Sequence, residues 1–185
     1  QLKNFGFDMD LDEARRVINI YRAANAHIST LWHESQVLIE NMVRKTPTRI
    51  GTPRLIESMG NIPAITLPSG LLMRYPDLRA ERNENGVQYT YKTRNSRTKI
   101  YGGKFVENVC QAVARCIIAE QMLKIASKYK VVLTVHDSIV VCVHYNDVDI
   151  ACEYVEDCMR EVPVWAEKLP LDCESGVGKS YGECE

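Results

Sequence analysis

Residues 131–143 read Val-Val-Leu-Thr-Val-His-Asp-Ser-Ile-Val-Val-Cys-Val, in which two apolar runs flank His136, Asp137 and Ser138. Both runs are rich in β-branched residues and too short for an ordinary helix, so they predict two strands. Asp and Ser favour turns, which predicts a tight antiparallel hairpin with Asp137 at or near its tip. We expect both strands to be buried, which would hold that carboxylate rigidly, as a metal ligand requires. The alternative is that Asp137 only shapes the turn.

The composition indicates one domain, or one large part of a domain, in the cytoplasm. The chain has 185 residues and a formal net charge of −1, which excludes a globally basic nucleic-acid binder but not a local basic patch. No apolar run approaches the roughly 18 residues of a membrane helix, and the first residues lack a signal-peptide pattern. The seven cysteines are odd in number and mostly lie in apolar segments, which favours reduced thiols.

Two motifs resemble known sites but lack essential parts. A zinc site would have to combine Cys142, His144, Cys152 and Cys158. These spacings contain no Cys-x-x-Cys pair, so we reject that interpretation. The run Gly176-Val-Gly-Lys-Ser180 ends like a phosphate-binding loop, but the required earlier glycine is Cys173. We reject this interpretation as well.

Hydrophobic periodicity predicts helices around a β-rich middle, so the predicted fold class is α+β. Apolar residues recur at spacings of three and four in residues 11–24, 26–43, 103–128 and 150–162, which predicts four helices. In the middle, residues 64–68 and 71–76 predict a hairpin that turns at Gly70. Residues 87–92 alternate between apolar and polar, as a strand does.

Positive charge is concentrated in residues 92–104, which we interpret as a basic loop carrying Lys92, Arg94, Arg97, Lys99 and Lys104. Because no amphipathic basic helix accompanies it, this loop suits a phosphate backbone better than a lipid surface; an ordinary solvated loop is the alternative. The next helix carries a polar strip at spacings of four, three and four, made of Lys104, Asn108, Gln111 and Arg115 with Glu107 beside them. Such donors can reach the minor-groove acceptors of any base pair.

These stretches together resemble the C-terminal part of a family A DNA polymerase, of the bacteriophage type related to bacterial DNA polymerase one. The matching segments are Leu67-Pro-Ser-Gly70, Tyr101-Gly-Gly-Lys-Phe-Val-Glu-Asn-Val-Cys-Gln-Ala-Val-Ala-Arg115 and Leu133-Thr-Val-His-Asp-Ser138. The closing Leu169-Pro-Leu171 and Gly178-Lys-Ser-Tyr181 are similar to the end of that family. The resemblance covers most of the chain.

The resemblance implies a polymerase palm, an antiparallel sheet whose catalytic hairpin packs on long helices, preceded by trailing finger helices. Residues 1–50 would end the fingers and residues 51–185 would form the C-terminal palm portion. The implied reaction transfers a nucleotide from a dNTP to a primer 3′-hydroxyl, with two Mg²⁺ ions stabilising the attacking and leaving oxygens. Asp137 would be one of two metal-bridging aspartates, and His136 would lie beside the primer terminus.

The resemblance also assigns DNA contacts to two regions of the chain. Minor-groove contacts would come from Gln111, Asn108, Glu107, Lys104 and Arg115, and the basic loop with Lys99 and Arg97 would lie near the primer–template. The implied setting is the cytoplasm of a phage-infected bacterial cell, with no membrane partner.

Three departures from the family pattern matter. Ser138 stands where many members have Glu, and Cys116 stands where phage relatives often have Asp. We also find no Asp-Tyr-Ser-like strand with the second metal aspartate, and no finger helix with spaced Arg and Lys. Because a single carboxylate cannot clamp two Mg²⁺ ions, we predict an inactive isolated chain. The missing N-terminal portion would be supplied in the same polypeptide or by a second chain.

Two alternatives remain open. The first is a non-catalytic nucleic-acid-binding module derived from a polymerase palm. The intact His136-Asp137 pair argues against this module, and Ser138 argues for it. The second is a metal-dependent phosphohydrolase with His and Asp as adjacent ligands. Such enzymes place the pair on a helix near further histidines, whereas this pair lies between predicted strands.

Overall fold

The computed structural model describes residues 10–50, 56–58, 63–84 and 86–184, which contain helices and antiparallel strands. The helices are α1 (Leu11–Ala24), α2 (Ala26–Val43), α3 (Gly102–Ala126) and α4 (Val148–Arg160). The strands are β1 (Arg49–Ile50), β2 (Ile56–Ser58), β3 (Ala64–Thr66), β4 (Leu72–Arg74), β5 (Arg79–Asn83), β6 (Gly86–Lys92), β7 (Arg97–Ile100), β8 (Lys130–Val135) and β9 (Ser138–Cys142). This mixture confirms the predicted α+β class, and all four predicted helices are present.

The strands form three small sheets. Their orders are β1-β2-β3-β4, β5-β6-β7 and β8-β9. The turn predicted at Gly70 lies between β3 and β4. There the glycine has a φ of +83°, and its N–H donates to the Leu67 carbonyl oxygen at 2.8 Å. A residue without a Cβ adopts this left-handed backbone at least cost, which explains why the turn occurs at a glycine.

The prediction that residues 92–104 form a basic loop is wrong, because this stretch contains β7 and the start of α3. Within β7, Arg97-Thr-Lys-Ile100 alternates, with Lys99 exposed and Ile100 only 3% exposed. The charged side chains therefore lie on one face of a strand whose other face carries the buried Ile100. The alternating pattern of β7 covers four residues, which is too short to indicate a strand in a stretch so rich in charged residues.

The chain divides into two compact units. The first takes the described residues up to Ile65 together with Arg74–Glu107, and the second takes Thr66–Met73 together with the described residues from Asn108 onward. Helix α3 runs through both units. The predicted division into finger and palm portions after residue 50 stays a prediction, because compactness does not assign a segment to either portion.

In the first unit, the core centres on α2 and three aromatic rings. Leu38, Ile39 and Met42 of α2 are buried. The ring of Tyr75 stacks on Phe105 with 5.8 Å between centroids, and it meets Tyr91 edge-on at 5.1 Å. Aromatic pairs in these arrangements stabilise a core beyond the area they bury.

Helix α1 in the first unit is well capped but poorly covered. The Glu13 N–H donates to the Asp10 carboxylate at 2.7 Å, which satisfies one of the free donors at the helix start. None of its residues is buried, and within the described part of the chain Leu11 is 67% exposed and Ile18 is 48% exposed. The apolar spacing that predicts this helix therefore does not correspond to a buried face here.

In the second unit, polar contacts tie α3, α4 and the C-terminal segment together. The Gln121 side chain, 3% exposed, donates to the Met159 carbonyl oxygen, and the Trp165 indole N–H donates to the Glu120 carboxylate at 2.8 Å. Arg160 of α4 donates to the Asp172 carboxylate at 3.1 Å. This hydrogen bond lowers the pKa of Asp172 below its ordinary value. The C-terminal segment is thus attached to α4.

The rejected phosphate-loop motif lies in this C-terminal segment, where its glycines allow close packing. A Cβ on Gly176 would lie 2.5 Å from the Cys184 carbonyl oxygen, and one on Gly178 would lie 2.6 Å from the Glu183 Cβ. The motif leads directly into the three-residue turn Tyr181–Glu183 rather than into an α-helix. A phosphate-binding loop has a full helix at this place.

Candidate active site

The hairpin at residues 130–142 places His136 and Asp137 at its tip, as predicted. Strands β8 and β9 are antiparallel, and the last paired residues are Val135 and Ser138. His136 and Asp137 are therefore the two residues of the turn. A shift in register between Val131 and Leu133 forms a bulge in β8.

The prediction that both strands are buried is wrong. No residue of β8 or β9 is fully buried in the described structure, and Val132 and Leu133 are 50% and 44% exposed. The reason is that the hairpin is a two-stranded sheet. Apolar runs predict strands that another surface can cover, and the described part of the chain does not fully cover these two. Burial therefore does not hold the tip in place, and its conformation depends on the turn and on the pairing of the two strands.

His136 has a φ of +53°, in the left-handed region that non-glycine residues rarely adopt. Asp137 does not share this feature. Two-residue hairpin turns favour a positive φ at their first position, where Gly, Asn or Asp is the usual residue. An L-residue in this conformation costs about 1–2 kcal/mol. Such strain is common at functional sites, where the surrounding structure holds it in place.

Replacing His136 with Gly is expected to relieve this strain. We expect the His136→Gly protein to be about 1 kcal/mol more stable than the His136→Ala protein, because only glycine avoids the Cβ penalty. Chemical denaturation of the two variants measures the difference. Both substitutions remove the imidazole, so loss of its contacts cancels in the comparison. Equal stability of the two variants would contradict the strained turn.

The Asp137 carboxylate is exposed and makes no hydrogen bond or ion pair with any of the described residues. It is therefore open to a ligand. A carboxylate oxygen is the hard donor that Mg²⁺ prefers. In residues 10–50, 56–58, 63–84 and 86–184 no three acidic, His or Cys side chains are grouped closely enough to hold a metal ion. Among the described residues, Asp137 could therefore supply one ligand of a divalent ion, and the other ligands would have to come from elsewhere.

The polar strip of α3 exists as predicted, on a continuous helix from Gly102 to Ala126. Lys104 donates to the Glu107 carboxylate at 2.6 Å, and this hydrogen bond raises the pKa of Lys104. Asn108 and Gln111 each already have a polar or electrostatic interaction within the protein. Arg115 is exposed, and its side chain makes no hydrogen bond or ion pair with the described residues.

Arg97 has an internal role that the sequence did not reveal. Its guanidinium pairs with the Asp77 carboxylate and donates to the Asp77 carbonyl oxygen at 2.7 Å. It also donates to the Thr90 carbonyl oxygen at 3.0 Å and to the Thr90 hydroxyl at 2.9 Å. Arg97 therefore links Asp77, which lies just before β5, to strands β6 and β7. Lys99, two residues further along β7, is exposed.

The predicted site residues are distributed over both compact units. Arg97, Lys99, Lys104 and Glu107 belong to the first, and Asn108, Gln111, Arg115, His136 and Asp137 belong to the second. Direct contacts join Lys104 with Glu107, and the hairpin turn makes His136 and Asp137 neighbours. That these residues bind DNA and metal stays a prediction.

Comparison with known proteins identifies one informative relative. The chain is 30% identical to the DNA polymerase of Bacillus phage SP02 over 180 aligned positions. The chain is therefore similar to part of a phage DNA polymerase. The similarity covers 91% of this chain but 27% of the phage protein, so the chain spans about a quarter of that relative's length. No family model matches the chain, and no solved structure matches it.

None of the helices in the described part of the chain combines the length and apolar character that crossing a bilayer requires.

Proposed function

We propose that this chain is the C-terminal palm portion of a template-directed DNA polymerase of family A, with residues 1–50 ending the fingers. The observation that carries the proposal is the 30% identity to a phage DNA polymerase across 91% of the chain. The hairpin supports it, because an exposed carboxylate at a tight turn is available to a cation. The partners would be primer–template DNA and a dNTP, in the cytoplasm of a phage-infected bacterium.

Asp137 would contribute one oxygen ligand to a two-metal site. When bound, two Mg²⁺ ions stabilise the attacking and leaving oxygens of the nucleotidyl transfer. No three acidic, His or Cys side chains cluster around a possible metal site in the described part of the chain. The second carboxylate would therefore come from the rest of the polymerase, in the same polypeptide or in another chain. For the same reason we expect the isolated chain to be inactive.

The other candidate residues would position the nucleic acid. His136, held beside Asp137 by the turn, would lie at the primer terminus. Donors on α3 would contact the minor groove without reading the sequence, from the set Lys104, Asn108, Gln111 and Arg115. Glu107 would lie beside them and accept the hydrogen bond from Lys104. Lys99 would contact the phosphate backbone. The Arg97 guanidinium already donates to Asp77 and Thr90, so Arg97 would contribute mainly by stabilising the sheet.

A chimera tests the proposal. The segment of the Bacillus phage SP02 polymerase that aligns with this chain is replaced by this chain, and primer extension is measured for the chimera and for the chain alone. We expect extension by the chimera and none by the chain. Extension by the chain alone would contradict the need for a second carboxylate.

The second candidate is a non-catalytic nucleic-acid-binding module. Ser138 beside Asp137 favours it, because many family members have a carboxylate at that position. This candidate predicts a folded chimera that binds primer–template and does not extend it. The two candidates are therefore separated by the extension assay, with binding measured alongside.

A further inference from the structure

The three-stranded sheet β5-β6-β7 has one polar face and one core face. Its register pairs Lys92 with Arg97 and Thr90 with Lys99, and it pairs Arg79 with Thr90. Residues paired directly across a sheet point to the same side, as do residues two apart on one strand. All five side chains named here therefore share one face. The opposite face carries Tyr91 and Ile100 of the core.

Part of the charge on the polar face is neutralised inside the protein. Arg79 pairs with Glu81 at 2.9 Å, and Arg97 pairs with Asp77. The hydrogen bond from Arg79 is the largest cause of the lowered pKa of Glu81. Lys92 and Lys99 are exposed, and their ammonium groups have no acidic partner among the described residues. These two positive charges remain open to a partner.

The turn between β6 and β7 carries a third cation. The Thr93 N–H donates to the Ser96 carbonyl oxygen at 2.7 Å, and the Ser96 N–H donates to the Thr93 hydroxyl at 3.2 Å. The two side-chain oxygens lie 3.1 Å apart. The polar groups of Thr93 and Ser96 therefore hydrogen-bond to each other within the turn. Arg94 within it is exposed, and its guanidinium makes no bond to the described residues.

We propose that Lys92, Arg94 and Lys99 form a basic face that binds the phosphate backbone of duplex nucleic acid. The whole chain carries a formal charge of −1, so three cations without acidic partners, two on the sheet and one in its β6–β7 turn, create a local positive potential. Phosphate contacts of this kind position a duplex and carry no sequence information. The inference rests on the proposed function for the identity of the duplex. It selects Lys92, Arg94 and Lys99 from the basic stretch, because Arg97 and Lys104 are paired with acidic residues.

A lipid surface fits this face less well. The polar side of the sheet presents Arg79, Glu81, Gln88, Lys92 and Lys99. None of these side chains is a large apolar group that could enter the acyl region, which stable binding to a membrane surface uses. Duplex nucleic acid needs only the charges.

The salt dependence of binding tests the proposal. Fluorescence anisotropy gives the affinity of the full chain for a labelled primer–template duplex of mixed sequence between about 50 and 200 mM salt. Each phosphate contact contributes about 0.9 to the slope of log K against log salt. We expect the slope to fall by about 2 in the Lys92→Gln/Lys99→Gln protein and by about 3 when Arg94→Gln is added. Thermal melting of each variant should match the parent, because none of these side chains has a partner in the described structure.

The control protein is Lys168→Gln/Lys179→Gln, which removes two exposed lysines from the second compact unit. We expect the slope of this protein to equal that of the parent. An unchanged slope in Lys92→Gln/Lys99→Gln would overturn the inference, as would a parent chain that binds no duplex. Preferential binding to vesicles containing phosphatidylserine would also overturn it.

This experiment is independent of catalysis. A reduced slope together with an inactive chimera would support the basic face and refute the polymerase proposal. An unchanged slope together with an active chimera would do the reverse.

Discussion

Gly102→Ala is expected to destabilise the protein by about 3 kcal/mol or more, the upper part of the range for overpacking a well-packed site. A Cβ at residue 102 would lie 1.9 Å from the Trp32 carbonyl oxygen and 3.1 Å from the Gln36 amide nitrogen, both backbone atoms of α2. The Gly102 N–H also donates to the Gln36 side-chain oxygen at 3.1 Å. The start of α3 would have to move away from α2. Thermal unfolding should show a loss of about 6–12 °C in Tm.

Gly103→Ala is the matched control, one residue further along the same helix. Its Cβ would meet the Tyr101 ring at 3.4 Å and the Trp32 ring at 3.9 Å, which are ordinary contacts with side chains. We expect its stability to stay within about 1 kcal/mol of the parent, because alanine also favours a helix relative to glycine. Equal losses in the two variants would contradict the close approach of α2 and α3 in the first unit.

Periodicity was sufficient to predict the regular elements that depend on local sequence. The bounds predicted for α1 and α2 are those observed, and the hairpin at residues 130–142 has its turn at the predicted residues. Long apolar patterns with a period near 3.6 indicate helices, and two β-branched runs around a short polar turn indicate a hairpin. Such signals lie within one element, so a single sequence contains them.

Features that depend on contacts between distant residues could not be predicted. Strand β7 has four residues and two charges, and its place in the sheet depends on pairing with β6. The role of Arg97 depends on Asp77, twenty residues earlier. The glycine at residue 102 is required by the backbone of α2. No local pattern reports any of these contacts.

The candidate site was partly predictable for the same reason. Turn chemistry placed Asp137 at the tip of the hairpin, whereas the positive φ of His136 follows from the register that pairs Val135 with Ser138. The roles in metal and DNA binding came from the resemblance to family A polymerases. They rest on the similarity to a phage polymerase rather than on contacts within this chain.

Asp137→Asn is expected to abolish primer extension by the chimeric polymerase. Asparagine has the same shape and an equal preference for turns, so the hairpin should form, but it lacks the negative charge that a bridging metal ligand supplies. Several kcal/mol of transition-state stabilisation would be lost, which corresponds to a rate reduction on the order of a thousandfold. Affinity for primer–template should change little, because a metal-binding carboxylate does not contact the phosphate backbone directly.

Asp147→Asn is the control for this substitution. Asp147 is exposed in the same compact unit and its side chain makes no capping hydrogen bond to α4. We expect the chimera with Asp147→Asn to extend primers at the parental rate. A comparable loss in both variants would indicate a general effect of removing acidic charge and would contradict a specific role for Asp137.

The most direct measurement is the single-turnover rate of nucleotide addition by the parental chimera and by its Asp137→Asn variant, at saturating DNA, dNTP and Mg²⁺. We expect a rate reduced on the order of a thousandfold, with primer–template affinity unchanged. A variant that adds nucleotides at a rate close to that of the parent would show that the hairpin carboxylate is not a metal ligand, and would contradict the proposed role of Asp137.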